Sequence, residues 1–98
     1  MMIKIRIRES DGKEHQTTAL IDCGASENVI DKAYAAANEI PTQRKAIPRR
    51  VLTVDRSDVA GGPVTHDAQV GMTINHHKED IHLHCITIRN APVILGLP

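Results

Sequence analysis

Ninety-eight residues make one domain with a modest hydrophobic core, so 1–98 reads as a single domain that self-association would help complete. Twelve Lys and Arg balance twelve Asp and Glu, and a formal charge of zero offers no whole-molecule field toward nucleic acid or an acidic membrane. Phe and Trp are absent and Tyr34 is the only aromatic residue, which removes base stacking and leaves Ile, Val, Leu, Ala and Met to build the core.

Ile3, Ile5 and Ile7 alternate with Lys4, Arg6 and Arg8, the period of a half-buried strand. Asp11-Gly12 supplies turn chemistry, and 14–18 returns as the second arm of a hairpin. The apolar run Ala19-Leu20-Ile21 ends at Asp22-Cys23-Gly24, and Val29-Ile30 follows as another apolar pair. Asp31 is a good N-cap, and Ala33, Ala35, Ala36 and Ala37 favour a helix over 31–39 that Ile40-Pro41 stops. The basic run Arg44, Lys45, Arg49 and Arg50 reads as a solvated connection. Val51, Leu52 and Val54 then form a strand, Asp55-Arg56-Ser57-Asp58 a polar turn, and Gly61-Gly62-Pro63 a bulge or bend on the return. Val70, Met72 and Ile74 alternate in a further strand, which turns through Asn75-His76-His77-Lys78 into a partner over 81–88. Val93-Ile94-Leu95 is a last strand, buried on both faces. Short strands, regular turns and one short helix define a mostly β, closed, barrel-like domain.

The histidines raise a metal hypothesis, since His82 and His84 share one strand face near His76, His77 and Cys85. Regular alternation turns Cys85 away from both, and the spacing matches no compact zinc motif, so they read as exposed sheet histidines and no metal is assigned. Cys85 reads as a small buried residue on the face of Ile81, Leu83 and Thr87, not as a nucleophile. Cys23 has no histidine base placed beside it by the local sequence. Two cysteines form no disulfide framework, which fits a reducing, cytoplasmic compartment. The first residues contain no apolar stretch of signal-peptide length, and no run could span a bilayer.

The segment Ala19-Leu20-Ile21-Asp22-Cys23-Gly24-Ala25-Ser26 resembles the active-site loop of retropepsins, the retroviral-like aspartic proteases. As in gypsy-class LTR retrotransposons, Asn28, the pair Val29-Ile30 and the helix opener Asp31 follow, then Ile40-Pro41. Thr53-Val54-Asp55 before a hairpin tip, Gly62-Pro63-Val64-Thr65-His66 on its return and the closing Pro92-Val93-Ile94-Leu95-Gly96-Leu97-Pro98 are also similar to the family. The resemblance spans about 19–98. It implies the acid-protease fold, a closed β-barrel with one short helix and a flap hairpin over 51–64. It also implies an aspartic endopeptidase acting on its own polyprotein, inside a virus-like particle if the element is active. One Asp-x-Gly-Ala loop supplies one carboxylate, so the resemblance implies a homodimer in which two copies of Asp22 activate water between them, with no cofactor. An extended peptide would then lie on Gly24 and Ala25 at the cleft floor, under Asp55, Arg56 and Ser57 near the flap tip, with Ile94 lining a side-chain pocket. Cys23, Ser26 and Gly96 would support the active-site loop.

Two departures bear on activity. The family places Ser or Thr after the catalytic Asp, where a hydroxyl links the two loops of the dimer, and a thiol at Cys23 is a weaker partner. The family also continues past Leu-Gly into a short helix, so the resemblance leads to the expectation of a domain excised from a longer chain, with that helix cut off. The alternative reading is therefore a catalytically weak or inactive retropepsin-like module that dimerises or binds peptides.

Overall fold

The computed structural model describes residues 1–22, 27–49, 64–88 and 91–96, the side chains of 47–49 excepted. Strand β1 (Met2–Arg8) and strand β2 (Glu14–Asp22) form the first hairpin, in register from Met2↔Leu20 to Arg8↔Glu14. The expected arm over 14–18 and the apolar run after it are one continuous strand. Asp11-Gly12 makes the turn: Gly12 adopts φ 91°, which a residue without Cβ does freely, and Asp11 Oδ1 accepts from Lys13 N at 2.9 Å.

Strand β3 (Val29–Asp31) leads into helix α1 (Lys32–Ala37). Asp31 is its N-cap, its side chain accepting from Tyr34 N at 3.3 Å. The helix is shorter than its alanine content suggests. Glu39 turns to φ 55°, and the amides of Asn38 and Ile40 donate to the carbonyls of Tyr34 and Ala35, so the chain reverses early and buries Ile40. Strand β4 (Gln43–Arg49) follows, where the basic run suggested a solvated connection. It pairs with strand β5 (Val64–Ile74), which turns through Asn75-His76 alone into strand β6 (His77–Ile86); Asn75 takes φ 53°. The turn is thus two residues long, and His77 and Lys78 already belong to the strand. Strand β7 (Val93–Gly96) completes the set.

The strand order β1-β2-β7-β3-β6-β5 closes on itself because β1 also pairs with β5, through Arg6↔Thr73, Ile7↔Met72 and Arg8↔Gly71. This six-stranded barrel carries β4 on the same edge of β5, beyond the reach of β1. The inward face of each strand fills the interior: Ile5, Ile7, Ala19, Ile30, Val70, Met72, Leu83, Cys85, Val93 and Leu95 form one buried cluster. A second cluster, Val29, Val64, Ile86, Ile88 and Ile94, lies against the first, so β7 is buried on both faces as its apolar run requires.

Candidate active site

Asp22 is the last residue of β2 and is paired in register with Gly96 of the parallel strand β7. Side chains alternate along a strand, so Asp22 shares the outward face of Leu20. That face continues through a ladder of register partners: Leu20↔Ile94, Ile94↔Val29, Val29↔His84 and His84↔Asp67. Asp22 therefore stands at the edge of the buried apolar cluster that holds Ile94 and Val29, with the partly buried Leu20 packed against that cluster and His84 and Asp67 at its polar border.

The return of the chain after Asp22 is held by side chains as well as by strand pairing. Asn28 Oδ1 accepts from Gly96 N at 3.0 Å, and Asn28 O accepts from His84 N at 3.0 Å. Asp31 reaches further: Oδ1 accepts from Ile88 N at 3.0 Å, while its own amide donates to Pro92 O at 2.8 Å. These bonds tie residues 28–31 to β6, to β7 and to the residues between them, each filling a part-buried amide with an acceptor. Asn28 and the second role of Asp31 are not legible from local pattern, since their partners lie 68 and 57 residues away.

Of the other expected site residues, Ile94 is buried in the outer apolar cluster and Gly96 faces Asp22 in register. Cys23, Gly24, Ala25 and Ser26 lie outside the described residues, as do Asp55, Arg56 and Ser57 and the hairpin over 51–63.

The polar border corrects two expectations. Lys45 of the basic run is not a solvated cation: its Nζ donates to Asp67 Oδ2 at 2.9 Å, and both side chains are nearly buried. His82 bonds to the same carboxylate oxygen. His84 is not an exposed sheet histidine but is only 8% exposed, and the Glu27 carboxylate stands 3.6 Å from its Nε2. Burial raises the Asp67 carboxyl pKa, but the bonds from His82 and Lys45 outweigh it and hold the group below its ordinary value. Burial, aided by the Asp67 charge, pushes the Cys85 thiol up, which disfavours the thiolate a nucleophile needs. Among the described residues no group of three or more His, Cys, Asp or Glu side chains is arranged to hold a metal, and no helix is long and apolar enough to cross a membrane.

A closed barrel with one short helix, an Asp at the end of β2 and the Ile94-Leu95-Gly96 strand against it define a retropepsin-like domain. Residues 18–98 match the PEG10/RTL1 protease domain, and the chain belongs to that gypsy-derived family of protease domains.

Proposed function

We propose that this domain is a homodimeric aspartic endopeptidase in which Asp22 of each copy contributes one of two carboxylates. The observation that carries this reading is the setting of Asp22: a strand-end carboxylate in register with Gly96, beside an apolar face, with the following chain pinned by Asn28 and Asp31. Two carboxylates brought together across a two-fold axis share one proton, because both cannot ionise cheaply at close range. The ionised one takes a proton from water as the water oxygen attacks the scissile carbonyl carbon. The protonated one gives its proton to the carbonyl oxygen. Collapse of the resulting diol breaks the C–N bond, and the proton goes to the leaving amine. An extended peptide would lay an apolar side chain against Leu20, at the edge of the cluster that buries Ile94, and cross Gly24 and Ala25, with Asp55, Arg56 and Ser57 above it. The substrate class is a polyprotein segment, and the compartment is the reducing interior of the cell.

Cys23 favours a second reading, a peptide-binding or dimerisation module with little catalysis, since a thiol is a poorer link between two active-site loops than a hydroxyl. One assay separates the two. Polyprotein junction peptides are incubated at mildly acidic pH with the domain, with a version extended past Pro98, and with Asp22→Asn of each. Cleavage abolished by the substitution supports the enzyme; no cleavage by the extended dimer at any pH leaves the module.

A further inference from the structure

Strand β1 turns its isoleucines inward and Lys4, Arg6 and Arg8 outward, in single file on one face. Successive cations stand ~6.6–6.8 Å apart by strand geometry. None of the salt bridges among the described residues involves any of the three. Beside Lys4 and Arg6 lies a groove of about 490 Å³ whose lining includes both cations with Gln16, Thr18, Thr73 and Asn75, and no carboxylate, while Arg8 stands beyond its end. Lys78 is paired with Thr73 and extends the positive surface across β6, whereas Glu14 and Asp80 stand at the Arg8 end.

We propose that this face of β1 binds the phosphate backbone of single-stranded nucleic acid. The cations run in file and do not converge on a point, which suits a polyanion and not a single phosphate. The flanking hydroxyl and amide groups supply neutral donors for phosphate oxygens. An acidic peptide fits less well: both edges of β1 are taken by β2 and β5, so a peptide could add no strand-like bonds and would leave its own backbone unpaired. With no aromatic side chain in the lining, contact is to the backbone and indifferent to base sequence. The groove runs along β1 and its two neighbours β2 and β5, and its β2 lining ends at Thr18, two positions before Leu20 on the same face. Zero net charge is no obstacle, because a local file of cations acts within a Debye length of the surface.

The test is fluorescence anisotropy of the domain with a labelled oligothymidylate of about 20 nucleotides. Three phosphate contacts predict a log–log salt slope of about −2, so affinity falls roughly twentyfold between about 50 and 200 mM salt. Arg6→Gln, on the exposed face, weakens binding and reduces that slope by about 0.7, whereas Lys32→Gln, an exposed lysine on α1, changes neither. The proposal is overturned by absence of binding at the lowest salt, by equal losses in the two variants, or by polyglutamate competing as well as the oligonucleotide at equal charge concentration.

Discussion

Asn28 does for the Gly96 amide what a strand neighbour does elsewhere in the barrel, and it does so next to Asp22. Asn28→Ala leaves that part-buried N–H without its acceptor, which costs on the order of 1–3 kcal/mol in urea unfolding. Asn28→Asp keeps an acceptor at the same reach and retains most of the stability; equal losses in both variants would remove the hydrogen bond as the cause. At Cys23 the prediction concerns association. Cys23→Ser restores a hydroxyl that can both donate and accept, on the order of 1 kcal/mol per bond regained, and tightens the dimer in sedimentation equilibrium. Single residues were unevenly legible. Asp31 announces itself as a cap because capping is local, but its hold on Ile88 depends on a fold that brings together positions 57 apart. His84 escapes local pattern for the same reason: strand alternation puts it outward, and the Glu27 carboxylate beside it comes from 57 positions away.

At the scale of elements, Asp67 of β5 draws Lys45 of β4 and His82 of β6 onto one carboxylate, so three neighbouring strands share a pin. It lies where pairing of β4 with β5 slips: between Arg44↔His66 and Arg49↔Val64, four residues of β4 span what Thr65 alone spans in β5. Because the folded-state pKa of Asp67 is depressed, its contribution is present above the unfolded value of about 3.9 and is lost as pH falls through the folded value. Asp67→Asn therefore lowers stability at neutral pH and flattens the acid limb of the stability curve below about pH 4, read by urea unfolding across pH. An acid limb as steep as wild type would contradict this. The strands were legible where one face is apolar, as in Ile3, Ile5 and Ile7. β4 was not, because its cations suggest solvent and the carboxylate that neutralises Lys45 lies 22 residues on.

The whole molecule depends on closure between β1 and β5, where Ile7 meets Met72. Pattern alone indicates a barrel but not which strands seal it, since that pairing joins residues near the start of the chain to others 63 or more positions away. Ile7 is 1% exposed, and Ile7→Ala should cost about 2–5 kcal/mol in equilibrium unfolding. The central claim is that two such barrels make one site from two copies of Asp22. The most direct measurement is the initial rate of junction-peptide cleavage at mildly acidic pH against protein concentration, for wild type and for wild type mixed with excess Asp22→Asn. Half-sites that work only in pairs predict a rate rising faster than linearly at low concentration, no cleavage by Asp22→Asn alone, and inhibition of wild type by the excess variant. Cleavage by Asp22→Asn at the wild-type rate would contradict the account.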